Sequence, residues 1–142
     1  MMLRLLGIDY GGKRIGLAIG DTESSIASPL AVVQVTGSLS DQVGAVLSCA
    51  RPYSVGAFVL GLPLNMDDTE GPQARLTRKF GDVLAHHSGK PVHYFDERLS
   101  SVAADELLGQ SGLSQKKRKS RQDRIAAQVI LQGFLDAQSD SP

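Results

Sequence analysis

The stretch LRLLGIDYGGKRIGLAIGD, residues 3–21, decides the fold. LRLLGIDY (3–10) is short and apolar and runs into the turn signal YGGK, and RIGLAIGD (14–21) follows at hairpin distance, so two neighbouring strands are predicted. The turn-rich TESSIASP (22–29) leads to a third strand at LAVVQV (30–35), completing an antiparallel meander. The pattern then changes period. Residues 40–50 begin with a Ser/Asp cap and carry Val43, Val46 and Leu47 at helical spacing. VGAFVLGLPL (55–64) is a continuous apolar run, as expected of a strand covered on both faces. The loop NMDDTEGP precedes a predicted helix at 73–87, with Leu76, Phe80, Val83 and Leu84 on one side. PVHYFDE (91–97) reads as a fifth strand and 100–110 as a helix with a serine cap. A basic loop follows, then a last helix from about 122 to 137. This order predicts an α/β fold: a mixed sheet, antiparallel first and joined by parallel crossovers afterwards, with helices on both faces.

The 142 residues amount to one domain, since domains run to roughly 100–150 residues. The expected domain spans 1–138, with 139–142 fraying. The hydrophobic share of 42% is ordinary for a folded core. No run of about 18 apolar residues exists, and the N-terminus lacks the charged and apolar regions of a signal segment, so a cytoplasmic location is expected. The lone Cys49 sits in an apolar run, which predicts a buried free thiol, and it has no partner at zinc-ligand spacing. Net charge is zero, with 15 basic and 15 acidic residues, but KKRKSRQDR (116–124) concentrates the positive charge. A single basic block on a neutral chain fits a protein that grips phosphate with one patch.

Three places put acids at the ends of elements. Asp9 closes the first strand on the same face as Leu3, Leu5 and Gly7, where a carboxylate is costly unless paired or metal-bound; as a plain turn former it would need neither. Projected at about 100° per residue, Asp123 aligns with Ala127, Ile130 and Phe134 in the first turn of the last helix. Gln128, Gln132 and Asp136 form the opposing polar stripe. A helix-dipole role would also suit such an acid, but one in register with Ile130 and Phe134 calls for a partner, and a cation is a good one. Asp96 and Glu97 end the fifth strand side by side, so alternation sends them to opposite faces and only one can share a face with a given site. The alternative for either is a salt bridge, with Arg98 nearest. Three carboxylates from three elements suit a hard cation such as Mg²⁺ or Mn²⁺, one or two ions, acting on a phosphodiester. No Ser/His or Cys/His arrangement competes. His86 and His87 fall at a helix end, and His93 on a strand reads as a packing residue.

GIDYGGKRIGLAIGD, VLGLPLNMDDTEGPQA, GKPVHYFDERLSS and DRIAAQVILQGFLD resemble, in order, the motif blocks of the YqgF family. These are RNase H-like bacterial proteins described as Holliday-junction-resolvase-like and as pre-16S rRNA nucleases. The resemblance covers nearly the whole chain. It implies a five-stranded RNase H-like sheet of order 3-2-1-4-5, and a metal site at Asp9, Glu97 and Asp123, leaving Asp96 the lesser candidate. Two positions depart from the family pattern. Asp68 stands where the loop often has glycine, a tolerable exchange if the backbone there needs positive φ. LSS follows DER in place of LST or LTT, keeping a capping hydroxyl.

The expected activity is divalent-metal-dependent hydrolysis of nucleic-acid phosphodiesters, in 5′-end processing of pre-16S rRNA during ribosome biogenesis. The alternatives are a Holliday junction resolvase-like DNA endonuclease, or a weakly catalytic nucleic-acid-binding or ribosome-assembly protein. Lys116, Lys117, Arg118, Lys119 and Arg121, with Lys13, Arg14 and Arg98 as weaker candidates, would contact phosphates. Aromatic residues make up 5% of the chain and tryptophan is absent, so no broad base-stacking platform is expected. The expected partners are nucleic acid (pre-rRNA or branched DNA), a ribosomal precursor particle and a second copy of the chain, without a membrane. A rival class is a phosphoryl-transfer ATPase of the actin and sugar-kinase kind, whose first phosphate loop 7–21 also resembles. One domain and one such loop argue against it.

Overall fold

The computed structural model describes residues 2–98 and 115–139, the side chains of 115–123 and 139 excepted. Five strands form one sheet in the order β3-β2-β1-β4-β5, the order the family resemblance implies. They are β1 (Arg4–Tyr10), β2 (Arg14–Asp21), β3 (Ala27–Gln34), β4 (Ala57–Leu62) and β5 (Val92–Asp96). β1 pairs antiparallel with β2, and β2 with β3, while β1–β4 and β4–β5 are parallel. Three helices are described: α1 (Leu39–Ala50), α2 (Pro72–Ser88) and α3 (Gln115–Ser139). The helix expected at 100–110 lies outside the described residues.

Strand alternation sorts the side chains into two cores. Leu6, Ile8, Ile15, Leu17, Phe58 and Leu60 pack with Val43 and Val46 of α1 and Phe80 and Leu84 of α2. On the other face Leu5, Ala18, Ala57 and Val59 meet Ala127, Ile130, Leu131 and Leu135 of α3. Small residues line this second face because α3 comes close. A Cβ on Gly7 would stand 2.7 Å from Leu131 Cβ and 2.9 Å from the Ala127 carbonyl, inside van der Waals contact.

Several local expectations shift. β3 begins at Ala27 rather than 30, because an edge strand accommodates Pro29 beside a register slip at Leu17/Ala18. The cap of α1 is Ser38, whose side chain accepts from Asp41 N–H in a capping box, two residues earlier than the Ser/Asp pair suggested. Leu76 is 48% exposed, so the buried stripe of α2 runs through Ala74, Thr77, Phe80 and Leu84 instead. Cys49 is partly buried and free. Among the described residues no helix is long and apolar enough to cross a membrane.

The last helix departs furthest. Its backbone is helical from Gln115, so the basic run 116–121 belongs to a helix and not to a loop, and Asp123 sits two turns inside rather than in the first turn. The helix-dipole explanation for that aspartate therefore lapses, since the effect fades within one turn. Gln128 and Gln132 are not a solvent stripe. Gln132 accepts from Ala27 N–H at 2.9 Å and donates to the Ser25 carbonyl at 2.8 Å, while Gln128 donates to the Ala27 carbonyl at 3.1 Å. These amides fasten α3 to the start of β3, whose backbone groups would otherwise go unpaired.

Candidate functional site

Asp9 is the next residue after Gly7 on the α3 face of β1, and it is half-buried. It pairs across the sheet with Gly16 of β2. One step past the last β1–β4 pair, Ile8–Leu60, it is level with Gly61. Asp9 is thus flanked by glycines on both neighbouring strands, and at Gly61 the Ile130 side chain of α3 comes down onto the backbone.

Glu97 enters the same space from β5. His93 and Phe95 of that strand face α3: the His93 ring lies 5.2 Å from that of Phe134, and Phe95 packs under Gly133. Tyr94 packs with the α1/α2 cluster. Period two then sends Asp96 to the α1/α2 side and Glu97 to the α3 side. The Gly61 position bears this out: a Cβ there would collide with Ile130 Cδ1 and lie 3.6 Å from Glu97 Cγ. Glu97 N–H donates to the Leu62 carbonyl at 3.0 Å, extending the β4–β5 ladder past Asp96.

The place of Asp123 follows from how α3 crosses the sheet. Leu131 and Leu135 cover Gly20, the partner of Leu5, and one turn earlier Leu131 and Ala127 cover Gly7. Four helical residues advance about 6 Å and two strand residues about 6.6 Å. Stepping back one more turn, from 127 to 123, therefore brings the helix backbone level with Asp9. Asp9 and Glu97 share a face and an end of the sheet, and α3 carries residue 123 toward them.

Asp96 goes elsewhere. Its Oδ2 accepts from Arg98 Nη2 at 2.7 Å, and its Oδ1 from Arg98 Nε and backbone N–H, each at 3.0 Å. The Arg98 guanidinium holds the Asp96 carboxyl below its ordinary range and is itself raised by the same bonds. Arg98 also reaches Asp68 Oδ1 through Nη2 at 2.7 Å and the Asn65 carbonyl through Nη1 at 3.0 Å. Each of the three guanidinium nitrogens thus makes a bond within the protein. Asp68 does adopt positive φ, +71°, so the glycine-like conformation of that loop position is retained.

Tyr10 anchors the other acid in a similar way. Its ring stacks on Phe80 at 4.4 Å, its hydroxyl donates to Gln42 Oε1 at 2.7 Å, and its carbonyl accepts from Gln73 Nε2 at 3.1 Å. Burial raises the phenol pKa. Of the basic candidates, Lys13 is exposed at the β1–β2 turn and Arg14 is half-buried beside it. The side chains of Lys116, Lys117, Arg118, Lys119, Arg121 and Asp123 lie outside the described residues. Sequence reasoning missed Gly61 and the Asn65–Asp68–Arg98 contacts. The first had a signal, a glycine inside the apolar run AFVLGL.

Among the described residues no three histidine, cysteine or acidic side chains gather as a metal group. The donors nevertheless fit Mg²⁺ or Mn²⁺. Asp9 and Glu97 offer hard carboxylate oxygens from two strand ends on one face of the sheet.

Comparison with known proteins agrees with this frame. Residues 3–137 match the family model described as "RuvX: Holliday junction resolvase". A protein of Symbiobacterium thermophilum named "Putative pre-16S rRNA nuclease" is 43% identical over 99% of this chain and 96% of its own length. One of the same name from Anaeromyxobacter sp. (strain K) is 46% identical over 94% and 97%. Among solved structures, T. thermophilus RuvC in complex with Holliday junction substrate superposes with a TM-score of 0.61 at 18% identity, covering 98% of this chain and 97% of that one. The yeast mitochondrial resolvase Ydc2 gives 0.57 at 12% identity, over 96% and 79%. These two establish a shared RNase H-like fold.

Proposed function

The chain belongs to the RuvX family, and on that premise we propose that it is a divalent-metal-dependent nuclease acting at the 5′ end of precursor 16S rRNA. The observation that carries the reading is the delivery of Asp9 and Glu97 to one end of the α3 face, level with residue 123 of α3. The choice of substrate rests on relatives named for pre-16S rRNA at 43% and 46% identity. It places the work in the cytoplasm, on free precursor rRNA or on a ribosomal precursor particle.

Asp9, Glu97 and Asp123 would hold Mg²⁺ or Mn²⁺. Bound there, one or two such ions supply Lewis-acid stabilisation to the attacking and leaving oxygens of a phosphodiester displacement. The protein's own share is placement. Lys13 and Arg14 after Asp9, and Lys116, Lys117, Arg118, Lys119 and Arg121 before Asp123, neutralise the strand's phosphates without reading its sequence. Water is the nucleophile in this scheme, and no side chain forms a covalent intermediate. A four-way DNA junction is the second reading, favoured by the family description. A two-fold symmetric substrate of that kind calls for a homodimer.

Labelled pre-16S rRNA leader and a labelled four-way DNA junction, each incubated with Mn²⁺, separate the two readings. The expected result is cleavage of the rRNA leader, abolished by EDTA. Asp9→Asn should slow cutting by about a thousandfold, roughly 4 kcal/mol of transition-state stabilisation, while leaving substrate binding largely intact. Cleavage by Asp9→Asn at the wild-type rate would remove the site assignment.

A further inference from the structure

Glu97 lies between two residues whose side chains are tied to each other on the opposite side of the sheet. Asp96 Oδ1 accepts from the Arg98 backbone N–H at 3.0 Å, closing a tight turn around Glu97, whose own N–H is held by the Leu62 carbonyl at 3.0 Å. The Arg98 guanidinium then reaches out of that turn. It takes Asp96 through Nε and Nη2, the Asn65 carbonyl through Nη1 at 3.0 Å, and Asp68 Oδ1 through Nη2 at 2.7 Å.

The loop it grips is itself closed. Asn65 N–H donates to the Thr69 carbonyl at 2.8 Å, Asp68 N–H donates to the Asn65 carbonyl at 2.9 Å, and Leu64 bridges to Glu70. The Asn65 carbonyl therefore accepts both the turn amide and Arg98. From the α2 side, Arg78 takes both Glu70 oxygens, at 2.6 and 2.8 Å. A rigid loop after β4 is thus joined to the end of β5 through one planar guanidinium.

We infer that Arg98 is a positioning residue: its fork locks the Asp96–Glu97–Arg98 turn to the 65–70 loop and so fixes where Glu97 presents its carboxylate for metal. The inference rests on the proposed metal site. It assigns Arg98 a task other than phosphate binding. Stability alone does not account for the arrangement. The Asp68 side chain is 79% exposed, and exposed pairs add little to folding free energy. What a guanidinium adds is geometry, because its fixed donor fork satisfies several acceptors at once and a lysine ammonium of the same charge cannot reproduce that plane. Residues that orient metal ligands from behind commonly alter metal affinity or activity by about 10–100-fold.

The test is Mn²⁺ binding to the whole protein without nucleic acid, followed by calorimetric titration well below the melting temperature. Wild type is compared with Arg98→Lys, Arg98→Ala, Asp68→Asn and Glu97→Gln. Arg98→Lys should weaken Mn²⁺ binding about tenfold, with Arg98→Ala at least as weak. Asp68→Asn, which keeps a side chain tolerant of positive φ and leaves the Asp96 and Asn65 contacts in place, should cost roughly threefold or less, below that range. Cleavage should lose kcat with KM for nucleic acid little changed. Two results overturn the inference. If Glu97→Gln weakens Mn²⁺ binding but Arg98→Lys and Arg98→Ala match wild type, the positioning role fails while the metal site stands. A rise in KM and a shallower salt dependence in that case would return Arg98 to phosphate binding. If Glu97→Gln itself binds Mn²⁺ as wild type does, the proposed site fails and the positioning role with it.

Discussion

The two faces of the sheet are built from alternate residues of the same strands, yet they are furnished differently. Toward α1 and α2 the strands turn Leu6, Ile8, Ile15, Leu17, Phe58 and Leu60, all fully buried against two helices. Toward α3 the same strands offer Gly7, Gly16, Ala18, Gly20, Ala57 and Gly61, with one helix lying close over them. The first face holds most of the large buried side chains and hence the greater part of the apolar stabilisation. The second gives up side-chain volume for proximity, and that proximity carries a helix backbone to the level of two strand-end carboxylates. Stability and chemistry are thereby separated across a single layer of backbone.

Breaking the first face should cost folding and spare the site. Leu84 is fully buried in the α1/α2 core, so Leu84→Ala should destabilise by about 2–5 kcal/mol in denaturant unfolding. Cleavage per folded molecule and Mn²⁺ affinity should stay near wild type below the melting transition. A loss of Mn²⁺ affinity comparable to that of Glu97→Gln would show that the faces are not separable.

Filling the second face should do the reverse. Gly61→Ala places a methyl against Ile130 Cδ1 and beside Glu97 Cγ, with an overpacking penalty of about 1–3 kcal/mol. Mn²⁺ affinity should fall as well. Adding Ile130→Val removes the colliding Cδ1 and should restore much of the stability, a coupling that a double-mutant cycle reads directly. Additive losses would mean that α3 does not sit over Gly61 as described.

The smallest expected effect lies on the solvent side of the loop after β4. Hydrogen bonds from Arg78 hold the Glu70 carboxyl below its ordinary range. A lowered folded pKa means stability that is present above the unfolded value, near 4.3, and lost as pH falls through the folded one. The melting-temperature gap between wild type and Glu70→Gln should therefore be slight at neutral pH and close on acidification below that value. A gap that widens in acid would contradict the pairing.

The contrast between the faces also shows what could be read in advance. The five strands, the helices on both faces, and the division of Asp96 from Glu97 came through because they depend on local period: apolar runs, turn glycines and the two-residue alternation of a strand. The strand order itself came from the family resemblance. The positive φ at Asp68 was foreseeable from the same resemblance, because the family often has glycine at that position. The errors fell where distant partners decide. Gln128 and Gln132 look like a solvent stripe until Ser25 and Ala27, about a hundred residues away, supply their hydrogen-bond partners. Leu76 fits the helical period of α2, yet it is 48% exposed.

The amino-acid order alone thus determined the strands and helices, their amphipathic logic and the three element ends whose acids are worth watching, since backbone geometry imposes those periods wherever the chain folds. Only the tertiary structure decided that α3 starts early enough to carry the basic run, and that its turns keep step with β1 from Leu5 through Gly7 to Asp9. It alone committed Arg98 to Asp96, Asp68 and Asn65. The physical reason is range: periodicity is written in neighbouring residues, whereas packing, pairing and the contents of a site depend on which distant surfaces the folded chain presses together.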